Sequence, residues 1–161
     1  MKKIFTIFIC ILIYQSGKSQ DLTKIDIVGE WQFIELQDEN GVKQTKIPLN
    51  RWQKDAVEKV NRDSYVFHED GKYTAKNILQ SSDGTWYFDS STNEINLELR
   101  IDSEDPALES LKKHNLVTKR QDGSYYQKAV KKLILDCSEQ TMKIKDREEY
   151  VLIYKRVNEK K

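Results

Sequence analysis

The sequence predicts an all-β fold, a chain of antiparallel hairpins forming a sandwich or a closed barrel. First, four Asx-Gly pairs, Asn40-Gly41, Asp70-Gly71, Asp83-Gly84 and Asp122-Gly123, carry the strongest short-range hairpin signal. Second, Ile95, Leu97, Leu99 and Ile101 alternate strictly with Glu94, Asn96, Glu98, Arg100 and Asp102. A period of two buries one face and wets the other, the habit of antiparallel rather than parallel sheets. Third, short β-rich runs recur at close spacing without βαβ units. A length of 161 residues fits one domain with a core of its own.

Read in order, the chain begins with Lys2 and Lys3, an apolar run from Ile4 to Tyr14, and small residues at Gly17 and Ser19. This pattern is a secretory signal peptide over residues 1–19, leaving a single domain over 20–161. Cys10 lies inside the apolar run behind Phe8 and Ile9, not at its end, so no lipid anchor is expected. Strands follow over Ile27–Gln37, Val42–Ile47, Ser64–Glu69, Lys72–Asn77, Gly84–Asp89 and Glu94–Asp102, then Leu116–Gln121, Ser124–Asp136, Thr141–Lys145 and Tyr150–Val157. Two segments break the series. Trp52, Ala56 and Val60 stand four apart within Asn50–Arg62, with Asn50 and Gln53 placed as a helix N-cap pair. Asp105-Pro106 opens a second short helix through Lys113, with Leu108 and Leu111 on one face and Asn115 as its stop. Each helix is expected to cover an end or an edge of the sheet.

Charge excludes one class of partner. The 27 Lys+Arg and 26 Asp+Glu nearly cancel, so no basic field is present for nucleic acid. The apolar run near the start is too short to span a bilayer, and no membrane span is expected after cleavage. Catalytic motifs are also missing: no P-loop, Gly-rich dinucleotide turn, HExxH, CxxC or GxSxG occurs. His68 sits beside Glu69 and Asp70 at a turn, and His114 at the end of the second helix, where the helix dipole favours a cation. Cys137 reads as a small packed side chain. The acidic groups are dispersed, without the ligand spacing of a calcium loop. No enzyme activity, cofactor or metal is expected.

Gly29-Glu30-Trp31 opens the first long strand and Tyr154-Lys155-Arg156-Val157 closes the last. With the hairpins and the exported start, these residues resemble the lipocalin-like domains of secreted bacterial proteins, in the calycin superfamily. The resemblance implies an up-and-down barrel of about eight strands, here with two short helical insertions. It implies that Trp31 closes one end, that Arg156 lies over its indole, and that Gly29 permits the close approach. Two departures stand out: lipocalins proper carry a long helix after the final strand, and they lack helices at these two insertions.

An eight-stranded barrel has room for side chains or for one small ligand. The expected function is therefore non-enzymatic binding of a small apolar or amphipathic ligand by an exported protein, periplasmic or secreted. The lining residues would be Phe33, Phe67, Tyr73, Trp86, Leu97, Leu99 and Tyr126. The same side chains fill a barrel equally well. The alternative is a filled-barrel interaction module of the cell envelope, of inhibitor or immunity type, docking a protein through the Trp52 face.

Overall fold

The computed structural model describes residues 22–49 and 55–157. A one-turn helix, α1 (Lys24–Ile27), leads into the long strand β1 (Gly29–Asp38), followed by β2 (Lys43–Gln44). A separate two-stranded hairpin comprises β3 (Lys46–Pro48) and β4 (Val57–Lys59). A meander of β5 (Ser64–Phe67), β6 (Lys72–Lys76), β7 (Ser81–Asp89) and β8 (Glu94–Ile101) comes next. An excursion carries α2 (Leu108–Lys113), β9 (Val117–Lys119) and β10 (Tyr125–Gln127) before β11 (Val130–Cys137), β12 (Thr141–Asp146) and β13 (Tyr150–Arg156).

Eight of these strands form the closed ring β11-β12-β13-β1-β5-β6-β7-β8. Four residue pairs, from Val130↔Leu97 to Leu133↔Glu94, join its two ends. All the ladders are antiparallel. Closure removes the free sheet edges that would otherwise invite pairing with other chains. The β9–β10 hairpin extends β8 past the point where β11 leaves it.

Alternation sets which side chains enter the barrel. Trp31, Phe33, Tyr65, Phe67, Tyr73, Trp86, Ile144, Leu152 and Tyr154 share the inner face through their pairings. A bulge between Phe33 and Glu35 shifts the register by one, so that Leu36, opposite Leu152, also points inward and is fully buried. The rings pack closely: Phe67 lies 4.9 Å from Trp86, stacks on Tyr65 at 5.4 Å, and Tyr65 meets Tyr154 at 5.8 Å.

Most of the expected strands are present, with four differences. Gly41, Gly71 and Gly123 adopt the positive φ that their turns demand, but Gly84 does not. It lies inside β7 opposite Leu99, where an added Cβ would strike the Glu98 carbonyl and the Tyr73 ring. Gly84 thus serves close packing, and the turn falls earlier, at Ile78-Leu79. The expected strand Ser124–Asp136 is two strands, β10 and β11, that pair with different parts of β8.

The helix expected over Asn50–Arg62 is not formed in its described part. Trp52 and residues 50–54 lie outside the described residues, and Val57–Lys59 pairs with Lys46–Pro48 as a strand. The four-residue spacing of Ala56 and Val60 loses to that ladder, which buries Ile47 completely and packs Val60 on the core. Finally, α1 was not foreseen. The Asp26 carboxylate accepts from the Thr23 N–H and hydroxyl at 2.8 and 2.7 Å, fastening its first turn. The second expected helix is present, and Asn115 ends it in the left-handed conformation (φ 56°).

Candidate functional site

The barrel has two chemically different ends. At the first, β1 begins and β13 finishes. The Trp31 indole is fully buried and its Nε1–H donates to the Ile27 carbonyl at 2.7 Å. The Arg156 guanidinium lies 4.3 Å from the Trp31 ring centroid. It donates to the Val28 and Asp26 carbonyls at 2.6 and 2.5 Å, closing off orphan acceptors at the end of α1. Gly29, at φ +132°, lies under this arm, and a Cβ there would come within 2.5 Å of Arg156 Nη1. Trp86 adds a second indole, whose Nε1–H donates to the His68 carbonyl at 3.0 Å, with Lys24 Nζ 5.3 Å above its ring.

Outside this plug, Cys137, Asp26 and Arg156 border a surface hollow of about 400 Å³ with exposed Ile25. Burial pushes the Cys137 thiol up to about 11, so it is a poor nucleophile. Hydrogen bonds from Thr23 hold the Asp26 carboxyl below its ordinary range.

The other end of the barrel is polar. Arg62 stands just before β5, and Asp146 ends β12. They form an ion pair at 3.3 Å, although β1 and β13 lie between their strands. Arg62 also reaches Glu58 of the β3–β4 hairpin at 3.3 Å, and Arg147 ties the same Glu58 (2.8 Å) and the Pro48 carbonyl (2.8 Å) to the β12–β13 turn. The hairpin is therefore pinned across this mouth, with Ile47 sunk into the core beneath it. Asp63, on the inner side of β5, accepts from the Asn77 amide at 2.7 Å.

Inside the barrel, burial acts on several titratable side chains. The Tyr154 hydroxyl is buried without a hydrogen-bond partner, and desolvation pushes its pKa well above the ordinary phenol range. Tyr65 is raised likewise, and Tyr73 is pushed up to about 12, in both cases chiefly by burial. Lys132 points inward from β11, opposite Ile95. It forms no ion pair with any described carboxylate, whereas its neighbour Lys131 faces outward and pairs with Glu94 at 3.0 Å. Desolvation holds the Lys132 pKa below the ordinary lysine value, against the pull of Asp146 and Asp63.

The residues expected from sequence to line a pocket fall into three groups. Phe67, Tyr73, Trp86 and Leu97 are buried inside the barrel, with the Phe67 ring in contact with both Tyr73 and Trp86. Phe33 is half-buried, edge-on to Tyr154 at 5.8 Å, and Leu99 is half-buried opposite Gly84. Tyr126 is not part of this set. It sits on β10 with the Arg120 guanidinium 3.6 Å from its ring, and Arg120 pairs with Glu98 at 2.5 Å. His68 contributes its backbone to a turn, and the His114 ring lies 3.3 Å from the Ser110 carbonyl at the end of α2. Among the described residues no group of three or more His, Cys, Asp or Glu is arranged to hold a metal. Lys132, Tyr65, Tyr154, Asp63 and Asp146 were missed from sequence; Lys132 gives no signal there, because the apolar Leu133 and Leu135 that follow it in β11 face outward.

A closed eight-stranded antiparallel barrel, shut at one end by an indole beneath a guanidinium, defines a lipocalin-like domain. The chain belongs to the C-terminal lipocalin-like domain family (GH43_C), whose profile matches residues 12–145. Among solved structures, it is similar to a lipocalin-like protein from Bacteroides uniformis, with 18% identity over 82% of this chain and 99% of that one (TM-score 0.47). An uncharacterized protein from Bacteroides eggerthii shares 15% identity over 81% and 98% (TM-score 0.46). A DUF4847 family protein from Bacteroides vulgatus shares 12% over 85% and 97% (TM-score 0.42). No curated protein matches the chain. Among the described residues no helix is long and apolar enough to cross a membrane.

Proposed function

We propose that this domain is an exported, non-enzymatic binding protein that holds one small apolar or amphipathic ligand inside its barrel. Residues 1–19 supply the export signal, Trp31, Arg156 and Gly29 close the far end, and Phe33, Tyr73, Leu97 and Leu99 offer apolar surface. The observation that carries the reading is the buried Tyr154 hydroxyl, which has no hydrogen-bond partner inside the barrel. Buried polar groups are nearly always satisfied, and an exception inside a barrel is what a binding site leaves for its ligand.

The test is native mass spectrometry on the chain recovered from its own host. A discrete mass excess, lost on organic extraction, is the expected result. A bare mass, with no uptake from a panel of fatty acids and isoprenoids, removes the carrier reading. A second reading, a filled barrel that docks a protein, draws on the β6–β7 turn, where Ile78 and Leu79 are 89% and 84% exposed. That turn is rigid, since the Asn77 side chain accepts from the Leu79 and Gln80 N–H groups at 2.8 and 3.1 Å. A bare mass together with a co-purifying protein, lost on Leu79→Ser, would favour it.

A further inference from the structure

We infer that the barrel end carrying the β3–β4 hairpin docks on an anionic phospholipid surface, a role beyond the binding reading above. The hairpin is two-sided. Ile47 and Glu58, paired across it, face the barrel, Ile47 in the core and Glu58 held by Arg62 and Arg147. The other side is made of two pairs, Lys46↔Lys59 and Pro48↔Val57. Both lysines are exposed, and neither forms an ion pair with a described carboxylate. Like charges directly opposite each other destabilise a ladder, and an external anion over the pair removes that cost.

Beside this basic pair the protein exposes aliphatic side chains. Leu49 and Val57 are exposed on the hairpin, whose ladder continues as the Leu49 N–H donates to the Ala56 carbonyl at 2.7 Å. The β6–β7 turn adds Ile78 and Leu79, the most exposed large apolar side chains among the described residues. Turn and hairpin are linked. The Asn77 amide donates to Asp63 at 2.7 Å, and Arg62, the residue before Asp63, reaches Glu58 at 3.3 Å. Both tips are thus held in place before anything binds. Their shape favours a bilayer over a protein. The aliphatics stand on narrow tips, a small fraction of the ~800 Å² per partner that a stable protein interface buries. A bilayer needs no continuous area, because apolar side chains enter the headgroup boundary while lysines meet lipid phosphates. The nearby carboxylates Glu58, Asp146 and Asp63 are already engaged. Glu39, Asp55 and Glu149 stay exposed at this end, so the positive charge is local to the outer side of the hairpin.

Cosedimentation with vesicles tests this, using the chain recovered from its host. Vesicles of phosphatidylglycerol mixed with phosphatidylethanolamine are compared with vesicles of phosphatidylcholine alone. Binding is expected to the first and not the second, and it should weaken in high salt. Lys46→Gln combined with Lys59→Gln should lower the affinity at least about tenfold. Ile78→Ser combined with Leu79→Ser should lower it too, whereas Ile25→Ser, at the Trp31 end, should change nothing. All five positions are exposed, so each variant is expected to keep the wild-type circular dichroism. Three results would overturn the proposal: no binding to the anionic vesicles, equal binding to both kinds, or binding that only Ile25→Ser removes. A co-purifying protein lost on Leu79→Ser, without vesicle binding, would overturn it in favour of a protein partner. None of these outcomes alters the ligand mass, so the carrier reading stands or falls separately.

Discussion

At the Trp31 end of the barrel the buried donors end on backbone carbonyls, whereas at the opposite end the rim is tied by side-chain ion pairs. Trp31 Nε1–H, Trp86 Nε1–H and two arms of Arg156 all end on backbone carbonyls, and only Arg156 Nε is left over. At the mouth, Arg62, Asp146, Glu58 and Arg147 are joined to one another by ion pairs. The two ends are built from the same strands and differ only in which residues each strand sends inward. One end maximises satisfied burial and therefore stability. The other is joined by partly exposed ion pairs, which contribute less.

The sharpest way to break this contrast is at the plug. Trp31→Ala should cost about 3–5 kcal/mol, measured by denaturant unfolding, because it empties the most crowded part of the core. Phe33→Ala, half-buried nearer the mouth, should cost less than half as much; equal costs would mean that the two ends are equally packed. Arg156→Met comes next, at about 2 kcal/mol, since it removes the cation over the indole and uncaps the Val28 and Asp26 carbonyls.

At the mouth the sign should reverse. Lys132→Met is expected to stabilise the protein by about 1 kcal/mol at neutral pH, because an inward, half-buried lysine with no ion pair among the described residues is replaced by an apolar chain of similar length. Its pH dependence has a definite direction. The folded protein lowers the Lys132 pKa, so the unfolded chain binds more protons, and wild-type stability rises with pH towards the ordinary lysine value of 10.5. The advantage of Lys132→Met is therefore full at neutral pH and shrinks as pH rises through that window; melting curves at a series of pH values check it. A constant advantage would mean that the charge is not its source. The smallest effect belongs to the rim. Glu58→Gln should cost about 0.5–1 kcal/mol, as its pairs with Arg62 and Arg147 are partly exposed, and the loss should shrink further in high salt.

The two ends also differ in how far a sequence reveals them. Trp31 and Arg156 announce themselves, because a Gly-x-Trp at the start of one strand and a basic residue at the end of the last are local patterns. The strands between them are legible from Asx-Gly turns and from the alternation at Ile95 and Leu97, since period-two burial is written directly into residue order. Gly84 misleads, because a glycine required for close approach between strands is indistinguishable in sequence from one required by a turn. The mouth is hidden for a different reason. In β11 the apolar Leu133 and Leu135 face outward, 38% and 47% exposed, while Lys132 faces in. Hydrophobic alternation assigns such a strand to the wrong face, and only its pairing with β8 shows which way it points. Arg62, just before β5, and Asp146, at the end of β12, come together by ring closure, a relation no local window contains.

The pairing of β1 with β13 carries a kinetic consequence. Arg156 caps Val28 from 128 residues away, and its strand is the only bridge from β12 to β1. The ring cannot form until β13 has docked, however early the β5–β8 meander is made. Contacts of such long sequence separation must be reached against the entropy of the whole intervening chain, so folding should be slow for a domain of this size, and Trp31 fluorescence should report it as the last event.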